Sequence, residues 1–469
     1  MSGSEVSIAV EKEEEKIGVL AESHLSIDEK ALVRKLDFKI LPMLFIIYMA
    51  AFLDRVNISN ALTLGLPKDL KLVGNEINIA LTIFFVPYVL FEIPSNIFLK
   101  RFKPHKWLSG CILVFGIVML AQGFVQNYSG LLATRFFLGF AEAGIFPGSF
   151  YLISFWYKRE EAQRRFTVYW CSVLTASAFG GLLASAIANM QGLRGYSSWR
   201  WIFILEGIFT IIVGIFAFFL VSDFPDEAKW LTEEERRWVI ERTGRNKEPP
   251  VKITKKDILY FFGDFKNILG GIMYFSMVVP IYSFSYFAPT IIKTLGYSTV
   301  QTQLHTVPPI AAALGLALIL AFASDITRLR LPYILLCLSI TLTGLAILIS
   351  ISHHFSVQYL GIHFIAMGAF AGGPIVVCWY VMNLRGHVER SIGTAWMIGF
   401  GNVGGIVATF AFLSKDAPRY ISGYAIDLAM TGVGFVSVLL YGLLVWRENR
   451  KLKAEPSEFG GREKGYKSL

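Results

Sequence analysis

Charge is what this sequence has least of for its length. Only 17% of the 469 residues are Asp, Glu, Lys or Arg, against about 25% in soluble domains. A soluble globular body is therefore excluded for most of the chain. Cysteine is scarce too. Cys111, Cys171, Cys337 and Cys378 all lie inside apolar runs, and no two form a CxxC pair. They read as small apolar packing residues, and no disulfide is expected. No HExxH and no GxxxxGK[ST] occurs, which argues against a zinc enzyme and an ATP-driven pump. No cofactor and no metal is expected. His305, His363 and the His353/His354 pair lack ligand spacing and read as satisfied or loop-exposed. The mostly acidic stretch from Glu11 to Lys16 has no apolar run close behind it, so no cleavable signal peptide is expected.

What is present is apolar. Hydrophobic residues make up 54% of the chain and the mean hydropathy is +0.53. Runs long enough to cross a bilayer recur from Ile40 to Tyr441, giving about twelve candidate spans. They fall near 39–59, 77–99, 107–126, 131–156, 166–190 and 201–221, then near 268–290, 306–324, 331–352, 358–383, 391–413 and 421–446. The fold class is an all-α membrane protein, with twelve transmembrane helices in two pseudo-symmetric six-helix halves. The expected segments are an N-terminal segment 1–36, a first bundle 37–221, a central loop 222–265, a second bundle 266–446 and a tail 447–469. Ser26-Ile27-Asp28-Glu29 has capping-box spacing and predicts a helix leading into the membrane. Thr232-Glu233-Glu234-Glu235 predicts a short surface helix inside the central loop.

The net charge of +9 and pI near 9.2 do not point to nucleic acid, because the basic residues sit in short loops between apolar runs. Lys100, Arg101, Lys103 and Lys106 follow span 2, and Lys158, Arg159, Arg164 and Arg165 follow span 4. Arg328 and Arg330, Arg385 and Arg390, and the tail continue the series. The 3–4 loop Asn127-Tyr128-Ser129-Gly130 has no Lys or Arg. The positive-inside rule then places both termini and the central loop in the cytoplasm. Asn127-Tyr128-Ser129 is a glycosylation sequon in an outside loop, very close to the membrane. The halves carry traces of a repeat, as in transporters built from two six-helix units. Gly139 with Ala143-Gly144 in span 4 resembles Gly368 with Gly372-Gly373 in span 10.

Ionisable residues inside spans are the candidates for function. Each costs about 2.5–3.5 kcal/mol at the centre of a spanning helix on the insertion scale. Arg135 and Glu142 in span 4 are seven residues apart, nearly two helical turns, and share a face. They read either as a switching carboxyl tuned by a neighbouring guanidinium or as a static pair bracing the bundle. Asp54 and Arg55 are adjacent in span 1, so their side chains leave the helix about 100° apart and each needs its own partner. One reading gives Arg55 to an anionic solute and Asp54 to a proton. The other puts both at the membrane boundary, snorkelling to water. Asn402, among the glycines of Gly399-Phe400-Gly401-Asn402-Val403-Gly404-Gly405, either bonds a carboxylate or joins helices. Tyr282, Phe284 and Tyr286 either stack on a flat solute or pack.

Several phrases carry a family resemblance. They are Leu53-Asp54-Arg55-Val56-Asn57, then Pro94-Ser95-Asn96 with Lys100-Arg101, and Arg135-Phe136-Phe137-Leu138-Gly139-Phe140-Ala141-Glu142-Ala143-Gly144 running on to Phe146-Pro147-Gly148. In these the chain resembles the major facilitator superfamily, in particular its anion:cation symporter branch. The phrase from Phe84 to Asn96 is similar to the fungal allantoate- and nicotinate-permease group. The resemblance implies proton-coupled import of a small organic anion by alternating access. It assigns protonation to Asp54 and Glu142, with Arg135 tuning Glu142, and the substrate carboxylate to Arg55 and Asn402. It marks Arg101 and Asp325 as gating-loop residues. The chain departs from the usual loop by carrying Lys100 where an acidic residue precedes the arginine, which leaves the Asp325 loop as the better-preserved lock.

The expected partners are thus a small-molecule organic anion, protons and the lipid bilayer. Nucleic acid is not one, and the protein is expected to be a monomer in the cell membrane. It is not expected to be an enzyme. A membrane acyltransferase using His363, a non-transporting receptor and an exporter of a carboxylate metabolite are the alternatives.

Overall fold

The computed structural model describes residues 28–243, 254–351, 354–384 and 386–454. All regular structure among them is helical. Among the described residues, eleven helices are long and apolar enough to cross a membrane. A twelfth long helix, Glu76–Arg101, stands where span 2 was expected. The chain is therefore an all-α membrane protein, as its hydropathy indicated.

Span 1 is the helix Glu29–Thr63, 35 residues long. Its N-cap is Asp28, whose carboxylate accepts from the amides of Lys30 at 2.9 Å and Ala31 at 3.2 Å. The expected Ser26 cap lies outside the described residues. Spans 3, 5 and 6 are Pro104–Gln122, Arg159–Ile187 and Ser198–Leu220. Span 7 is Phe265–Thr294, span 9 Leu331–Ser350, span 10 Phe355–Asn383, span 11 Gly386–Ala411 and span 12 Ile421–Ala454.

One span is interrupted where a continuous helix was predicted. Span 4 divides into Tyr128–Glu142 and Ile145–Trp156. Pro147 has no N–H to donate back to the Ala143 carbonyl, so the ladder opens there. Span 8 is preceded by a separate short helix, Thr299–Leu304, and begins at Val307. That start is within one residue of the expected one, and Pro308 and Pro309 stand in its first turn, where proline is tolerated. In the central loop the expected capping box is present. Thr232 and Glu235 exchange backbone and side-chain hydrogen bonds at the start of Glu233–Arg242. A second box, Thr254 with Asp257, starts Lys255–Gly263 and was not anticipated.

Spans 1 to 6 pack chiefly on one another, with span 3 on 6, span 1 on 5 and 6, and span 2 on 4. Spans 7 to 12 do the same, with span 9 on 10, span 7 on 11 and 12, and span 8 on 10. Spans 1, 2 and 5 meet spans 7, 11 and 8 respectively across the interface between these groups. Glycine permits the closest approaches. At Gly139 an added Cβ would run into the Phe84 carbonyl of span 2, and at Gly181 it would lie 3.0 Å from the Gln303 carbonyl beside span 8.

Candidate functional site

The four charged residues singled out in spans 1 and 4 are all buried, each at most 1% exposed. The membrane-boundary reading of Asp54 and Arg55 is therefore wrong. Span 1 extends well beyond its predicted start, so these residues sit 25 and 26 positions into the helix rather than near its mouth.

Their pairing differs from the expected one. Glu142 faces Arg55, not Arg135. Arg55 Nε donates to Glu142 Oε2 at 3.1 Å, and its second amino group bonds Glu142 Oε1. The third guanidinium nitrogen donates to the Tyr282 hydroxyl of span 7. Arg55 thus links spans 1, 4 and 7 through three hydrogen bonds. Its planar fork matches the carboxylate geometry. Aromatic rings close around it, with the Tyr88 centroid at 4.9 Å, Phe84 at 5.2 Å, Phe52 at 5.5 Å and Tyr282 at 5.7 Å. These faces solvate the cation where water is excluded.

Arg135 takes a different place. It donates to the Arg55 carbonyl at 3.2 Å, and its Nε and other amino group have no hydrogen-bond partner among the described residues. Asp54 and Glu142 are its charged neighbours, acting through space. Asp54 turns inward to span 6, where its Oδ2 accepts from Thr210 at 2.7 Å. Asp54 and Arg135 therefore form a layer behind the Arg55–Glu142 pair.

In front of that pair, between the two groups of spans, lies a narrow cavity with room for about one water molecule. Tyr48, Phe52, Tyr88, Tyr274, Tyr282 and Asn402 are among the residues that line it. Tyr282 lines the cavity and hydrogen-bonds Arg55 behind it. It stacks on Tyr286 with centroids 5.7 Å apart. Phe284, predicted with them, packs edge-on against Phe370 and lines a different cavity. Asn402 combines both roles left open for it. It lines the cavity, and its amide donates at 3.5 Å to Glu92 of span 2, across the interface.

Sequence reasoning passed over Glu92, Glu206 and Asp427, all buried. A single acidic residue in each apolar run was the available signal. Glu206 of span 6 has no partner on either oxygen among the described residues.

At the basic end, Asp325 accepts from Arg330 at 2.8 Å and from Arg164 of span 5 at 3.1 Å. The Asp325 loop thus bridges spans 5 and 8. Arg101, expected to share the gating role, is exposed. At the other end Asn78 donates to the carbonyls of Thr409 at 2.6 Å and Phe412 at 3.2 Å. There also Gln303 donates to Thr63 Oγ1 at 2.7 Å.

Two sets of helices enclosing a small cavity, with charges buried beside it, define a membrane transporter. The chain matches the Major Facilitator Superfamily over residues 44–439 and belongs to that family. It is 34% identical over 437 residues to the major facilitator-type transporter hxnP of Emericella nidulans, covering 91% of this chain and 88% of the relative. It is 31% identical over 429 residues to the high-affinity nicotinic acid transporter of Saccharomyces cerevisiae, covering 91% and 80%. Its fold is similar to that of a bacterial homologue of the human lysosomal transporter Spinster, solved inward-facing and unoccupied. The TM-score is 0.63 at 16% identity, covering 89% of this chain and 98% of that one. The named relatives are transporters, and the chain is a transporter rather than an enzyme.

Proposed function

We propose that this transporter carries a small organic anion together with protons by alternating access, and that it works as an importer in the plasma membrane. The observation that carries this reading is the occupancy of Arg55. Its guanidinium is taken up by Glu142 and Tyr282, next to a central cavity. A solute carboxylate and the Glu142 carboxylate compete for the same fork. A proton on Glu142 removes its charge, frees Arg55 and lets the solute take its place. Proton and anion then enter together, and the loaded site stays close to neutral. Asp54 and Arg135, one layer behind, adjust the charge that Glu142 meets. Asn402 and Tyr282 close on the solute from the opposite side. Arg164 and Asp325 form the gate at the basic end, which by the positive-inside rule is cytoplasmic with both termini.

The likeness to a protein named a nicotinic acid transporter supports an aromatic or vitamin-like monocarboxylate, and the aromatic cavity lining suits a flat ring. The halves 37–221 and 266–446 would rock about this site as two domains of a single monomer. The test is a panel of radiolabelled monocarboxylates, nicotinate first, offered to cells expressing the full chain at two external pH values. Faster accumulation at the lower pH, abolished by a protonophore, is expected. Accumulation indifferent to both would overturn proton coupling. Depletion of preloaded solute in place of uptake would make the protein an exporter.

A further inference from the structure

A second cavity lies wholly within spans 7 to 12. It has room for about one water molecule and is bounded by Ser283, Phe284, Leu348, Ile362, Phe412 and Asp427, among others. It belongs to the end away from the basic loops. Ile291, Leu348, Phe412 and Tyr424 of its wall lie within three residues of the helix limits Thr294, Ser350, Ala411 and Ile421. Asp427 is its one charged residue, 2% exposed, and accepts a 2.8 Å hydrogen bond from Ser283 of span 7.

Nothing cationic answers that carboxyl among the described residues. On its own helix the titratable neighbour is Tyr424, one turn away. Span 7 presents Ser283, while its Lys293 donates to the Thr63 carbonyl at 3.1 Å. Spans 9 and 11 present Leu348 and Phe412. Span 10 presents Ile362 and Ile365, while the adjacent His363 is bonded through Nδ1 to the Tyr359 carbonyl at 2.9 Å. An ionised carboxylate here would have one hydroxyl for company in an apolar shell, which is strongly unfavourable. The arrangement also has a counterpart in the first group of spans. There a carboxyl of span 1 meets a hydroxyl of span 6, Asp54 with Thr210. Here the hydroxyl is on span 7 and the carboxyl on span 12.

We propose that Asp427 is a proton-binding site of the second half, reached through the outer cavity and separate from the Arg55–Glu142 centre. It holds a proton while the cavity is closed and exchanges it with outside water when spans 7 and 12 part. Its part in coupling rests on the proton-driven reading above, but the occupancy of the site does not.

The test therefore uses no solute. Melting temperatures of the full chain in detergent are compared for the wild type and Asp427→Asn from about pH 5 to pH 8. A proton bound only in the folded state is lost as pH rises, so folding weakens with pH by up to about tenfold in the folded ratio per pH unit. Asparagine cannot lose that proton. The melting temperature of Asp427→Asn is expected to rise relative to wild type as pH increases. A constant difference across the range would overturn the site. If Asp427→Asn fails to fold, Asp427→Glu keeps an acid and is expected to displace the wild-type profile along the pH axis, and a superimposable profile would overturn the site. Failure of anion uptake would leave either result standing.

Discussion

Arg55 and Glu142 lie 87 residues apart in sequence and meet through a two-point contact in which Nε reaches Oε2 at 3.1 Å. Both are fully buried, so neither can be removed alone without stranding the other's charge. Breaking such a pair by deleting one partner costs about 3–5 kcal/mol. Arg55→Ala leaves Glu142 buried without its hydrogen-bonded partner, with Arg135 acting on it only through space. It is expected to lose binding of a nicotinate probe and to lower the melting temperature. Glu142→Gln leaves Arg55 with a neutral partner of the same shape. It is expected to abolish proton-driven accumulation while keeping counterflow exchange. Binding by equilibrium dialysis together with an uptake and counterflow assay checks both. Intact accumulation in Glu142→Gln would remove Glu142 from coupling.

Asn402 gives a second prediction. Its amide is the hydrogen-bond partner of the Glu92 carboxylate across the interface. Asn402→Ala leaves that carboxylate buried and unmatched, a change worth about 1–3 kcal/mol. The wild-type bond is long at 3.5 Å, so the lower end is expected for stability. Because Asn402 also lines the cavity, KM for the solute should rise by more than the melting temperature falls would suggest. Paired uptake kinetics and thermal unfolding of the same variant separate the two effects.

Much of this was legible before the structure, for physical reasons. A bilayer demands long apolar helices, so hydropathy alone located the spans, and buried charge is costly enough to flag Asp54, Arg55, Arg135 and Glu142. Partnership was not legible. Seven-residue spacing put Arg135 and Glu142 on one face, but it could not show that span 1 presents Arg55 between them. The 100° turn between Asp54 and Arg55 did predict separate partners, and Thr210 and Glu142 are those partners. Asp427 and Ser283 meet 144 residues apart, a contact no local pattern encodes. The break in span 4 was written in Pro147 but was outweighed by unbroken hydropathy.

The surface helix of the central loop supplies a prediction about pH. Glu235 accepts from Lys35 of span 1 at 2.8 Å, and burial, which raises the carboxyl, is outweighed by that bond and by the Thr232 backbone. The folded carboxyl therefore titrates below the ordinary value of 4.5. Its contribution is fully present above that value and is lost as pH falls through the lower folded one. Proteolysis within 232–243 is expected to accelerate as pH drops below the ordinary glutamate value, by an acid-tolerant protease with cleavage sites read by mass spectrometry. In Glu235→Gln the rate at neutral pH should already be raised and should change less on acidification.

The last prediction concerns the proposed gate at the basic end. Arg164 is 67% exposed and Asp325 only 14%. An exposed pair of this kind contributes about 0.2–1 kcal/mol to stability. The same small energy acts differently on a conformational equilibrium, where about 1.4 kcal/mol shifts populations tenfold. Arg164→Ala is therefore expected to leave the melting temperature within a degree or two, yet to increase opening between spans 5 and 8. Asp325 keeps its 2.8 Å bond to Arg330, so the loop itself should hold its shape. A cysteine placed at Ser324, buried at the foot of span 8, reports the change through its rate of alkylation in a background lacking the four native cysteines. Acceleration of several-fold in Arg164→Ala, with no loss of folded protein, is the expected outcome. An unchanged rate would mean that the polar contacts of Asn78 and Gln303 at the opposite end, rather than this ion pair, determine which face of the transporter is shut.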